Sequence, residues 1–331
     1  MCVLSRRQFV GGAAGLGLVA GCGRWPGQQQ VPAKVPRIGY VGSTALGGHN
    51  PQALADGLRE LGYVEGYNLT VEWRLTEGRG DRVFEVIAEL VALNVDAIVV
   101  TGATAALAAQ NATRTIPIII VMLSDPQESG FVASLARPGG NITGLGSFAL
   151  ELSGKQLQLL VEVTPSVARV GVLWERRNPS KARQLKELQD AAQVLGIQIE
   201  SLALEEPHDL DSAVRAGSQA RVDAIFTAQS VLTAGQKARI IELVAQAQVP
   251  AIYESSEWTE AGGLMFYGPN FPAMHRRAAY YVDKILRGAA PADLPVERPR
   301  EFDFVINLKT AQTLGLTIPQ SVLQQATELI Q

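Results

Sequence analysis

Apolar residues along this chain come in two rhythms. Short unbroken runs rich in Ile and Val, such as Ala97–Val100 and Ile116–Met122, alternate with stretches carrying apolar positions at helical spacing, such as Asp81–Leu93. The first kind predicts parallel strands buried on both faces, and the second amphipathic helices packed across them. Both runs end abruptly in small polar residues: Thr101-Gly102-Ala103-Thr104 after the first, Ser124-Asp125-Pro126 after the second. In an open parallel sheet ligands bind beyond the carboxyl ends of the strands. These two strings are therefore the expected wall of a binding site. Small polar residues also end strands for turn and capping reasons, so position alone leaves both readings open.

The same alternation runs from Arg37 onward. Ile38–Val41 reads as a strand and Pro51–Leu61 as a helix, with Asn50 as N-cap and Gly62 as stop. Asn68–Trp73 reads as a second strand. Phe131–Leu135 reads as a short helix, and ARPGGN (Ala136–Asn141) as a turn. A second series follows: helix Glu151–Val163, strand Arg169–Trp174, helix Pro179–Leu195, strand Ile197–Leu202, helix Asp209–Ala220, strand Asp223–Thr227, helix Leu232–Ala247 and strand Pro250–Tyr253. DAIFT, a helix and VPAIYESS echo DAIVVTG, a helix and IPIIIVMLSDP, which predicts two similar α/β lobes in tandem. The chain then returns through a strand at Gly262–Gly268, a long helix at Phe271–Leu286, a strand at Phe302–Ile306 and closing helices at Lys309–Leu314 and Gln320–Ile330. A return of this kind implies several crossings between lobes, with a hinge.

The amino terminus breaks the rhythm. Arg6 and Arg7 precede a Gly/Ala/Leu/Val run from Val10 to Gly21, the layout of an export signal. The run is too short and too glycine-rich to span a bilayer as a stable helix. SRRQFV resembles a twin-arginine signal, with Val10 and Gly11 where Leu and Lys are usual, so twin-arginine and general export both stay open. LVAGC (Leu18–Cys22) resembles a lipobox, with cleavage before Cys22 and a lipid on its sulfur; the alternative is an ordinary signal with a chance cysteine. The chain has 331 residues and two cysteines, Cys2 and Cys22. Cleavage leaves one cysteine, hence no internal disulfide. It also removes two arginines and no acid, leaving 27 basic against 32 acidic residues, a net charge of −5. That balance excludes a basic nucleic-acid surface. Gly23–Pro36, rich in Gly, Pro and Gln, reads as a tether.

Four strings carry a family resemblance: GLRELGYVEGYNL (Gly57–Leu69), LARPGGNITG (Leu135–Gly144), PAIYESSEWTEAGGLMFYG (Pro250–Gly268) and VINLKTAQTLGLTIP (Val305–Pro319). Together they resemble the ABC-transporter substrate-binding proteins of the tryptophan/tyrosine type. The resemblance implies an α/β fold of two Rossmann-like lobes joined by a three-crossing hinge, the type I periplasmic-binding-protein architecture. It divides the chain into a signal peptide (1–21), a lipidated tether (22–36), lobe one (37–146, completed by part of the return), lobe two (147–264) and a returning hinge with closing helices (265–331). It implies an exported solute-binding lipoprotein, in the periplasm or on the cell surface, anchored to the membrane through Cys22. Its partners would be a small-molecule ligand, an amino acid or aromatic compound, and an ABC permease. It would be a monomer with no nucleic acid, cofactor or metal, and not an enzyme. A sensing receptor uncoupled from transport, or an α/β enzyme, are the alternatives. A transcription regulator of this fold would need a DNA-binding motif where the export signal stands.

In such a fold strand ends of both lobes would line the cleft. Lobe one offers Ser43, Thr44, Thr101, Gly102, Ala103, Thr104, Ser124, Asp125 and Pro126; lobe two offers Glu175, Asn178, Gln229, Ser230, Tyr253, Glu254 and Ser255. The helix start after Thr104 suits a carboxylate, and Asp125 suits an ammonium group. Asp125 equally suits a capping role. Tyr253 suits stacking on an aromatic ring or plain packing. His49, His208 and His275 lie far apart and read as solvent-facing. The sequence contains no metal-ligand spacing, GxSxG, P-loop or GxGxxG.

Overall fold

The computed structural model describes residues 34–42, 49–76 and 79–331. Cys22, Ser43 and Thr44, three of the residues singled out above, lie outside them. The chain runs β1 (Arg37–Gly42), α1 (His49–Glu60), β2 (Thr70–Leu75), α2 (Arg82–Ala92), β3 (Ala97–Thr101), α3 (Gly102–Ala112), β4 (Ile118–Leu123) and β5 (Ile142–Gly146). It continues through α4 (Ala149–Val163), β6 (Arg169–Glu175), α5 (Pro179–Leu195), β7 (Gln198–Leu204), α6 (Leu210–Gln219), β8 (Ala224–Thr227), α7 (Val231–Gly235), α8 (Lys237–Ala247), β9 (Ala251–Tyr253) and α9 (Ser256–Glu260). It closes with β10 (Met265–Pro269), α10 (Phe271–Leu286), β11 (Phe302–Asn307), α11 (Leu308–Thr313), α12 (Gln320–Leu323) and β12 (Glu328–Ile330).

Among the described residues these strands form two sheets, ordered β2-β1-β3-β4-β5 and β12-β11-β10-β9-β8-β6-β7. All neighbours are parallel except the antiparallel pair β10 and β11. The continuous apolar runs have a simple cause. Successive strand residues point to opposite faces. Thus Ala97, Val99, Ile119 and Val121 enter the core beneath α1 and α10, while Ile98, Val100, Ile118 and Ile120 enter the core beneath α2 and α3. Lobe two repeats this, with Val170, Val172, Ala224 and Phe226 on one face and Leu173 and Ile225 on the other.

The chain passes between the two sheets three times: after β5 into α4, after β10 into α10, and after α10 into β11. The return is shared between the lobes. Helix α10 packs on α1 and on β3, β4 and β5, whereas β10, β11 and β12 complete the second sheet. The crossings lie side by side. Gly146 N–H donates to the Glu297 carbonyl at 3.0 Å, Glu297 N–H to Gly144 at 2.9 Å, and Asn270 N–H to Glu301 at 3.0 Å.

Four local expectations change. Residues 131–135 form turns rather than a helix, with Phe131 N–H bonded to Pro126 and Ala133 N–H to Pro138. These bonds engage the N–H groups that helical turns would have used. The expected helix Leu232–Ala247 breaks at Gly235-Gln236 into α7 and α8, since glycine is a poor helix interior residue. Gln320–Ile330 is helical only to Leu323; its end pairs as β12 with β11, Val305 beside Glu328. Strand β5 has no counterpart in the sequence reading because ITGLG contains two glycines, which are depleted in strands. At Gly144, with φ +132°, an added Cβ would lie 2.2 Å from the Ile120 carbonyl oxygen, so only glycine lets β5 approach β4 there.

His275 also departs from expectation. It is fully buried in α10. Its Nδ1 lies 2.8 Å from the Phe271 carbonyl and therefore carries the hydrogen; its Nε2 has no hydrogen-bond partner among the described residues. Burial pushes the imidazole down to about 4, against a weaker upward pull from the Phe271 carbonyl. In the unfolded chain it binds its proton near the ordinary value of about 6.5. Between those values the unfolded state holds more protons, so stability falls as pH drops from about 6.5 to about 4, and is fully present above. The gap corresponds to about 3 kcal/mol. Urea unfolding of a His275→Leu variant should show that part of the acid slope flattened relative to wild type; an unchanged slope would show that the imidazole binds its proton as readily in the fold as in the unfolded chain.

Candidate functional site

The carboxyl ends of both sheets face one cleft with two adjoining chambers. The first, about 530 Å³ including its mouth, is lined by Tyr40, Asn50, Thr101, Met122, Gln229, Ala234, Lys237, Glu254, Ser255, Glu257, Trp258 and Phe271. The second, about 540 Å³, is lined by Thr101–Thr104, Met122, Ser124, Asn178, Ser180, Lys181, Gln229, Ser230, Val231 and Ala234. Thr101, Met122, Gln229 and Ala234 belong to both and mark the join. Cavities of this size suit a small organic solute.

The structure brings together much of the wall expected from sequence. Gly102, Ala103, Thr104, Ser124, Asn178, Gln229, Ser230, Glu254 and Ser255 all line the cleft. Helix α3 begins at Gly102, whose φ of +76° favours glycine. Its N-cap, Thr101, donates its hydroxyl to the Val41 carbonyl at 3.2 Å and makes no side-chain cap. The first turn of α3 therefore presents N–H groups to the second chamber, favourable to an anion. Asn178 and Ser230 are partly engaged. Asn178 Oδ1 accepts from Ser180 N–H at 3.1 Å, and Ser230 forms a capping box with Thr233.

Four expected residues stand elsewhere. Asp125 and Pro126 do not line the chambers; Asp125 Oδ1 accepts from Glu128 N–H at 3.0 Å and ties the following turn. Tyr253 is 4% exposed and stacks on Trp258, ring centroids 5.4 Å apart, so Trp258 rather than Tyr253 meets the cavity. Glu175 does not line the chambers; its Oε2 is buried with no hydrogen-bond partner among the described residues.

Several wall residues escaped the sequence reading. Tyr40, Trp258 and Phe271 make one end of the first chamber aromatic. Met122 has φ +65°, a backbone conformation costing about 1–3 kcal/mol for such a residue. It sits where the β4–β5 register shifts between Ile120 and Leu123. Lys181 occupies the first turn of α5, where a positive charge opposes the helix dipole. That mismatch was readable in NPSK, but not that Lys181 would be buried. Burial lowers its ammonium to about 8, opposed by Glu254 and Glu175. Burial raises the Glu254 carboxyl to about 8, opposed by a Thr233 hydrogen bond and Lys181. Across the mouth Arg183 of lobe two donates to Glu128 at 3.3 Å and Ser129 at 2.9 Å of lobe one, and His49 N–H donates to Glu257 at 3.2 Å.

The Asp125 geometry predicts a division of effects. Asp125→Ala should cost about 1 kcal/mol of stability, as loss of a capping bond does. The affinity of the folded variant for its solute should stay within about twofold of wild type, less than the loss of one hydrogen bond. Calorimetric titration after a thermal melt measures both; a thirtyfold loss of affinity would return Asp125 to the ligand.

Comparison with known proteins fits this architecture. The Tyrosine-binding protein of Clostridioides difficile (strain R20291) is 24% identical over 259 residues, 78% of this chain and 74% of that protein. A conserved domain protein from Vibrio cholerae O1 biovar El Tor superimposes with a TM-score of 0.83 at 28% identity, over 89% of this chain and 100% of that one. An ABC domain from Streptococcus pneumonia in complex with L-Trp superimposes with a TM-score of 0.81 at 27% identity, over 89% and 99%. The fold is that of the type I periplasmic binding proteins. Residues 49–330 match the family model described as ABC transporter substrate binding protein, and the chain belongs to that family of solute-binding proteins, which are not enzymes.

Proposed function

We propose that this substrate-binding protein is an exported lipoprotein that captures an amino acid with an aromatic side chain and delivers it to the permease of an ABC importer. The observation that carries the reading is the make-up of the cleft. One chamber presents the uncapped start of α3, and the adjoining one ends in Tyr40, Trp258 and Phe271. The start of α3 suits a carboxylate and the aromatic end a flat apolar ring. Relatives described as a tyrosine-binding protein and as an L-Trp complex support the same class. Export and anchoring rest on the Arg6-Arg7 segment and on LVAGC ending at Cys22. As a lipoprotein, the chain would hold its cleft outside the cytoplasm, next to the permease.

A thermal-shift screen with L-tryptophan, L-tyrosine, L-phenylalanine, nucleosides and sugars tests the solute class. A ligand at one hundred times its dissociation constant adds about 2.7 kcal/mol, a rise of about 5–10 °C. The aromatic amino acids should produce it; a rise with sugars or nucleosides alone refutes the amino-acid reading.

Anchoring has its own test. Cys22→Ala should move the protein from the membrane fraction to the soluble fraction of the producing cell. Wild-type protein that is wholly soluble, with an amino terminus other than Cys22, refutes lipidation.

A further inference from the structure

Two ionisable side chains on the lobe-two side of the cleft are buried with few partners. Lys181 is 4% exposed and Glu254 is 6% exposed. Lys181 lines the second chamber and Glu254 the first. Among the described residues Lys181 makes one hydrogen bond, from Nζ to the neutral amide oxygen of Gln184 at 3.1 Å. Among the described residues Glu254 Oε1 has no hydrogen-bond partner, and a Thr233 hydrogen bond is the carboxyl's remaining support. The two groups feel each other electrostatically without forming a direct ion pair. Buried charges are normally paired and hydrogen-bonded, because desolvation is otherwise uncompensated. The fold gains little from Lys181, which also sits against the dipole of α5. Two buried, sparsely bonded groups of opposite charge type, one in each adjoining chamber, are what a ligand with two opposite charges would complete, its ammonium holding the Glu254 carboxyl in the ionised form that burial disfavours.

We propose that Lys181 and Glu254 are the two poles of the ligand site, Lys181 taking the carboxylate of a zwitterionic amino acid and Glu254 its ammonium group. This rests on the amino-acid reading of the cleft and specifies which residues enforce it. The carboxylate then lies between Lys181 of lobe two and the first turn of α3 in lobe one, which line the same chamber. One ligand group thereby bridges the lobes. Both charges of the ligand are read from lobe two, while lobe one adds backbone donors on closure.

The test titrates the full chain calorimetrically with L-tryptophan, with L-tryptophan amide, which lacks the carboxylate charge, and with indole-3-propionate, which lacks the ammonium. Wild type should prefer L-tryptophan to either analogue by at least about thirtyfold, the penalty of leaving one member of a buried pair unmatched. Lys181→Met should shrink the preference over the amide to within about threefold and leave the preference over indole-3-propionate. Glu254→Gln should do the reverse. A merely structural Lys181 or Glu254 would weaken all three ligands alike and leave the ratios unchanged, which overturns the inference while the amino-acid reading stands. Wild-type discrimination needs no variant: equal binding of L-tryptophan and its amide also overturns the carboxylate pole. Wild-type protein that binds neither L-tryptophan nor any other protein amino acid overturns both the inference and the amino-acid reading.

Discussion

A parallel sheet covered by helices on both faces leaves only its strand ends for polar chemistry. That constraint governs the whole molecule. Strands β3 and β4 send alternate residues into two apolar cores, so neither face can carry a ligand. The polar residues are displaced to the carboxyl ends, where helices begin and backbone N–H groups are free. Both lobes obey the same rule, and the three crossings bring their strand ends to one cleft. The site follows from the architecture before any particular side chain is considered.

Within that cleft the chain departs from local energetic preference in several places at once. Met122 adopts a left-handed backbone at the bulge of β4. Lys181 sits against a helix dipole, and Glu254 is buried with an unpartnered oxygen. Natural sequences tolerate such conflicts at functional sites, where the surrounding fold supplies the compensation. Here the compensation is extensive: each lobe places apolar side chains on both faces of its sheet. Of the contacts that span the mouth, those from Arg183 to Glu128 and from His49 to Glu257 are exposed and individually weak, and that from Arg183 to Ser129 is part-buried. Weak contacts of that kind would let the lobes part, whereas a strong ion pair there would hold the cleft shut without a ligand.

Much of this was legible in the chain. The helices Pro179–Leu195 and Phe271–Leu286 have the bounds expected of them. Part of the wall, from Gly102 to Thr104 and from Gln229 to Ser230, follows from strand runs that stop at small polar residues. Strand β5 was not legible, because its glycines serve a close backbone approach that only the neighbouring β4 defines. Nor was β12, which forms because β11 offers an open edge to the last residues.

The chain alone determined the local matters: which segments are strands or helices, the tandem lobes and the expected mouth of the cleft. These depend on periodicity and capping, which act over a few residues. Tertiary structure decided which side chains meet the cavity. Asp125 turned to its own following turn, Tyr253 went behind Trp258, and Lys181 came to lie buried beside the start of α3. Tyr40, Thr101, Lys181 and Trp258 are far apart in sequence, and no local rhythm relates them. Their meeting is set by strand order and by three interlobe crossings, and the burial of a charge depends on what distant segments pack over it.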